Sequence, residues 1–141
     1  MKAAIAGVVG AALIVLGVFS SVRAQGATIW DGIYTDAQAE RGQAIYTQHC
    51  ASCHGDDLTA GTEAPPLAGS AFLSGWKGNT VGTLFEKMST MMPQTDPGSL
   101  SAVQNAEILA YMLSAGKVPS GKTDLNGDTE ALKQIRIELK P

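Results

Sequence analysis

Cys50-Ala51-Ser52-Cys53-His54 constrains this chain more than any other stretch. It sets two thiols three residues apart on a short helical turn, with an imidazole directly after the second. At that spacing two cysteines add across the two vinyl groups of one haem, and the next residue's imidazole takes the iron's proximal position. The group then belongs to the covalent chain and cannot dissociate. Cys50 and Cys53 are the only cysteines, so the motif uses both and leaves no thiol for a disulfide.

The 141 residues are one domain's worth, 45% of them hydrophobic, with a formal charge of −3. There is no basic patch and no Lys/Arg run, which argues against a nucleic-acid partner. The first 24 residues read as a secretory signal peptide. Lys2 is the positive start, Ala3 to Phe19 the apolar stretch, and Val22-Arg23-Ala24 the cleavage site. The other reading is an uncleaved anchor, because Ala3 to Val22 is about long enough for a marginal span. The division that follows is 1–24 signal peptide, 25–121 haem-bearing domain and 122–141 tail. Cleavage leaves 117 residues and, without Lys2 and Arg23, shifts the charge from −3 to −5. Export agrees with the motif, since bacteria attach haem covalently outside the inner membrane. The expected location is periplasmic, with membrane attachment only if the signal stays uncleaved.

Gln25 to Tyr34 lacks periodicity and reads as an extended arm. Thr35 caps a helix over Asp36 to Gln48, with Gln38 completing a capping box, and this helix leads straight into the motif. Gly42 and Tyr46 share a face, and a glycine there lets another helix approach closely. Gly55 to Gly75 reads as loop, and a second helix spans Thr80 to about Met88. Met91-Met92-Pro93 and Asp96-Pro97-Gly98 break the chain, since proline cannot continue a helix. The strongest helix is Ala102 to Ala115. Ser101 and Gln104 form a capping box, Gly116 is a candidate C′ residue, and Ile108, Tyr111, Met112 and Ala115 make an apolar stripe. In the tail Asp128 caps a short helix bearing Leu132, Ile135 and Leu139, yet Ile135 to Leu139 also alternates as a strand does. No hairpin signal is present, so the fold class is all-α.

His54 is the proximal ligand of this reading. His49 precedes Cys50 and is tied to the same side of the ring, so it cannot reach across. Met112 and Met88 fall on helices as packing residues. Met91 and Met92 lie in the loop; Met92, stiffened by Pro93, is the preferred sixth ligand, with Met91 and an open site as alternatives.

With these residues in place the chain resembles class I cytochromes c of the small bacterial periplasmic, single-haem kind, from about Tyr34 to Gly116. The likeness rests on Gly42 and Tyr46, Cys50-x-x-Cys53-His54-Gly55, Pro65-Pro66-Leu67-Ala68-Gly69, Trp76, Met92-Pro93, Pro97-Gly98 and Ala110-Tyr111. It implies three main helices around one covalent haem c, with Gly42 near Tyr111. It also implies a Pro65 carbonyl that accepts the His54 Nδ1–H, making the imidazole a better donor to iron, and Trp76 near the haem propionates. Thr80 to Pro97 and Ala131 to Ile137 are similar to cytochromes accompanying quinoprotein (PQQ) dehydrogenases. The acidic charge departs from the lysine-ringed mitochondrial type.

Rival chemistries fare worse. A zinc site needs two more ligands, a thioredoxin-like dithiol needs a βαβ frame, and Asp124-x-Asn126-x-Asp128 lacks the glycine and glutamate of a calcium loop. The expectation is a single-electron carrier, not an enzyme, working between a periplasmic dehydrogenase and a terminal oxidase or other acceptor. The alternatives are a haem subunit fixed in a dehydrogenase complex, or a peroxidase or gas-binding protein with an open site. A peroxidase wants a distal acid–base group, and no histidine is placed to supply one.

Overall fold

Thr35, Thr80, Ser101 and Asp128 each turn a side-chain oxygen onto a backbone N–H two or three residues ahead, at 3.1, 3.1, 3.2 and 3.0 Å. Each satisfies a donor that the first helical turn leaves orphaned, so each starts a helix. The computed structural model describes residues 26–59 and 64–141. The segment read as a signal peptide lies outside the described residues. A 3₁₀ turn, Ile29–Asp31, comes first. Six helices follow: α1 Asp36–His49, α2 Ala51–His54, α3 Gly69–Trp76, α4 Val81–Met91, α5 Ala102–Ala115 and α6 Thr129–Leu132. Among the described residues the only extended pairing is two isolated bridges, and no helix is long and apolar enough to cross a membrane. The chain is all-α.

The core forms where α1 lies on α5. A Cβ built on Gly42 would sit 1.8 Å from the Glu107 carbonyl oxygen and 3.0 Å from the Ile108 nitrogen, so the two backbones touch there. Tyr111, one turn further along α5, packs its ring on Tyr46, with centroids 5.4 Å apart and planes tilted by 59°. The close approach thus falls on Glu107 and Ile108, and the aromatic expected beside Gly42 meets Tyr46. Ala106, Ile108, Leu109, Ala110, Met112 and Leu113 are all buried, so α5 is apolar around most of its circumference.

Several local expectations are corrected. The arm is not free. Ile29 is wholly buried, Thr28 and Asp31 form a capping box, and the Ile29 N–H donates to Arg136 O at 3.0 Å. Gln38 completes no box at Thr35. Its amide instead pairs twice with the Leu125 backbone, at 2.7 Å each way, fastening the 118–125 segment to α1. The stretch read as loop through Gly75 holds α3, and the second helix runs to Met91. Gly116 ends α5 at φ −74°, while Lys117 takes the left-handed conformation at φ 62°. The tail is both of the things its pattern suggested. Asp128 caps α6, and an extended strap follows in which Ile137 points inward, 1% exposed, while Leu139 is 41% exposed.

Candidate functional site

The haem motif is the continuation of α1. The Cys50 N–H donates to Tyr46 O at 2.8 Å, closing α1, and the chain bends at Cys50 (φ −126°, ψ −35°). A single turn, α2, then brings Cys53 and His54 back over Cys50, whose carbonyl accepts from both N–H groups at 3.2 and 3.0 Å. Gly55 sits at φ 80°, a left-handed conformation that favours glycine. Its carbonyl accepts the Tyr46 hydroxyl at 2.6 Å, so α1 also fixes the exit of the motif.

Both thiols are free, Cys50 half-buried and Cys53 exposed. Burial, and then the neighbouring Cys53, push the Cys50 thiol up to about 11, so it is a neutral thiol at pH 7. Burial likewise pushes the Tyr46 phenol up to about 12, with Cys50 next in order.

His54 is 9% exposed, and its Nδ1 lies 2.9 Å from the Pro65 carbonyl oxygen. A carbonyl only accepts, so Nδ1 carries a proton, and in the neutral ring it is Nε2 that bears the lone pair. Pro65 is brought back by Leu58, buried at φ 60°, whose carbonyl accepts from Leu67 N at 2.8 Å and Ala68 N at 3.3 Å. The sequence reading missed Leu58: a lone leucine among polar residues gives no sign of a left-handed turn.

Met92 ends α4, its N–H donating to Met88 O at 3.0 Å, and it is half-buried. The Met92–Pro93 peptide is cis. Met91 belongs to the last helical turn and is 54% exposed. Met88 packs on the core and Met112 is 1% exposed within it. A cleft of about 370 Å³ lies between Gln48, His49 and Ser52 on the motif side and residues of the 93–104 stretch, including Pro93, Asp96 and Leu100; neither His54 nor Met92 lines it.

Trp76, at the end of α3, stacks obliquely on Phe72 at 6.4 Å, and Lys87 Nζ sits 5.7 Å from its ring centroid. The calcium-like triplet is spent on structure. Asp124 binds the Thr35 hydroxyl and Arg41, Asn126 accepts from Asp128 N, and Asp128 caps α6.

The donor set suits a covalent haem. Two unbridged thiols stand on one turn, and one imidazole holds its second nitrogen free. A half-buried thioether lies on a separate element. Among the described residues no cluster of three or more His, Cys, Asp or Glu offers another metal site.

The family comparison agrees with this chemistry, and the structural one with the fold. The model of the family described as cytochrome C oxidase, cbb3-type, subunit III matches residues 37–112, more than half of the chain. Among solved structures, a chain of the sulfane dehydrogenase SoxCD from Paracoccus pantotrophus is similar in fold, with a TM-score of 0.51 at 20% identity. The match covers 77% of this chain and 61% of that one, so this chain spans less than two thirds of the matched protein. No curated protein sequence matches.

Proposed function

The chain belongs to the cytochrome c oxidase, cbb3-type, subunit III family and is a class I c-type cytochrome with one covalent haem c; on that premise we propose that it carries single electrons between redox partner proteins, its iron held by His54 and Met92. Haem-based electron transfer is the chemistry of the domain. The iron's one-electron change between ferric and ferrous is what the group supplies. In this reading Cys50 and Cys53 form the thioether links, and His54 presents Nε2 to the iron. Pro65 holds the other ring nitrogen, which fixes the ring's rotation and raises its basicity.

The observation that carries the reading is the 2.9 Å contact of His54 Nδ1 with Pro65 O, directly after the two free thiols. Met92 is favoured over Met91 because it is half-buried and followed by Pro93, whereas Met91 is mostly exposed. Met ligation raises the reduction potential relative to a weaker or absent sixth ligand. In the oxidised protein, Met92→Ala should remove the weak sulfur-to-iron charge-transfer band and lower the potential, while Met91→Ala leaves both in place. The reverse pattern would reassign the ligand.

The donor proposed is a periplasmic dehydrogenase, of the quinoprotein class by sequence resemblance, and the acceptor a terminal oxidase. Residues 1–24 are proposed to be removed on export, so intact mass should show 25–141 plus one haem. A haem protein in the membrane fraction that keeps 1–24 would replace this with the anchored form. A second reading, a subunit fixed in a dehydrogenase complex, is favoured by the fold's likeness to a SoxCD chain. Stable co-purification with one dehydrogenase would select it over a free carrier.

A further inference from the structure

Residues 129–137 grip α4, the helix whose C-cap is Met92, at the end opposite Met92. The contact is backbone against backbone. A Cβ on Gly82 would lie 2.6 Å from Lys133 N and 2.7 Å from Thr129 O. The Val81 N–H donates to Ile135 O, the Gly78 N–H to Ile137 O and the Ile137 N–H to Asn79 O, each at 2.9 Å. Leu132 and Ile137, each 1% exposed, fill the space beneath. The strap is held in turn from its other side, where the Arg136 N–H donates to Ala27 O at 2.8 Å and Trp30 Nε1 to Glu138 O at 2.9 Å. The 11 residues of α4 make a rigid rod about 16 Å long. A shift at its first turn is carried to its C-cap, because the helix transmits displacement without bending.

We propose that the 129–137 strap is a positioning element for the sixth ligand: by fixing Val81 and Gly82 it sets how firmly Met92 stays on the iron. The proposal rests on Met92 being that ligand. The strap binds no substrate and touches no reacting atom. It acts through α4, and loosening it populates a form in which the Met92 thioether is off the iron while the rest of the domain stays folded. Local opening of this kind is drawn from the least tightly held segments of a structure.

Free imidazole reports that form, since it takes the sixth position only when Met92 has left. Its apparent affinity for the ferric protein scales with the open fraction. Val81→Pro is the cleanest variant. Val81 is the first helical residue, where proline is tolerated, and Thr80 before it is extended (φ −103°, ψ 158°) as a residue preceding proline needs to be. The substitution deletes the donor to Ile135 and leaves α4 able to form. Gly82→Ala wedges the same contact apart. Both should bind imidazole about tenfold more tightly than wild type and show a weaker charge-transfer band.

Leu125→Ala, a buried tail residue fastened to α1 and not to α4, controls for general destabilisation. It should lower the thermal midpoint with imidazole affinity within about twofold of wild type. Met92→Ala gives the ceiling. If Met92→Ala binds imidazole no better than wild type, the ligand assignment fails. If it binds better while Val81→Pro does not, or if Leu125→Ala matches Val81→Pro, the strap proposal is overturned and the ligand assignment stands.

Discussion

Replacing Gly42 by alanine tests the architecture at its tightest point. On propensity alone the change favours α1 by about 1 kcal/mol, because glycine is a poor residue within a helix. The structure predicts the opposite sign. The new methyl would lie 1.8 Å from Glu107 O and 2.4 Å from Glu107 C. Both are backbone atoms inside α5, so neither can rotate away. Restoring ordinary carbon–oxygen contact requires the helices to part by about 1.5 Å, which forfeits dispersion along their whole interface. Overpacking of side chains costs about 1–3 kcal/mol. With rigid backbone as the obstacle, and the propensity gain set against it, we expect a net loss of about 3 kcal/mol, or roughly 12 °C in midpoint for a domain of this size. Urea unfolding followed by far-UV circular dichroism measures it, the haem staying covalently attached throughout. Gly75→Ala in α3 is the matched comparison. Nothing lies within 4 Å of its added Cβ, so it should stabilise by about 0.5–1 kcal/mol. A Gly42→Ala protein within about 1 kcal/mol of wild type would refute the backbone contact.

Tyr46→Phe leaves the Gly55 carbonyl without its partner and should cost about 1 kcal/mol. The phenol is raised to about 12 by burial, so its stabilisation is complete below the unfolded value near pH 10 and is lost as pH rises through about 12. The difference between wild type and Tyr46→Phe should therefore shrink over that window, and a difference that grew would contradict the assignment. Truncation after Gly121 exposes partners of Leu125, Leu132 and Ile137, worth about 1.5–3 kcal/mol each when fully buried. Set against a typical domain stability of about 5–15 kcal/mol, that loss should lower the thermal midpoint by roughly 20 °C or more. A midpoint within a few degrees of the full chain would show that the tail packs elsewhere.

Features legible in the sequence share one property: their causes lie within a few residues. The 102–115 helix carries its capping box, its stripe and its terminator in one window, and it forms between the expected residues. Thr35 and Thr80 announce α1 and α4 in the same way. The CxxCH turn is legible because covalent chemistry sets its spacing. Where the reading failed, the deciding partner is distant. Ile29 looks like part of an arm until Arg136 pairs with it, and Gln38 looks like a cap partner until Leu125 takes its amide. Helix α3 has no capping side chain at Ala68, starts at a glycine with φ 81° and holds a second glycine near its end, so every local sign points to loop. In the tail, helix and strand patterns compete because each is right for four or five residues, and only the backbone at Thr28 and Thr80 decides where one gives way. Of the candidate site, the residue types were readable. The Leu58 turn that carries Pro65 to His54 was not, since it depends on a conformation leucine rarely adopts.

The bond from Trp30 to Glu138 spans 108 residues of sequence, and this imposes an order on the domain's assembly. In a chain that emerges from its N-terminal end, Ala27, Ile29 and Trp30 lack their long-range partners until 136–138 follow. Contacts of such long separation are the last to be rewarded during folding. His54 emerges 84 residues before Glu138. Until those residues arrive and pair, the two thiols stand on a chain that cannot yet close, whereas in the finished domain Cys50 is half-buried. The pairing of residues 27–30 with 136–138, among the most remote in the sequence, is thus completed only after the motif has emerged.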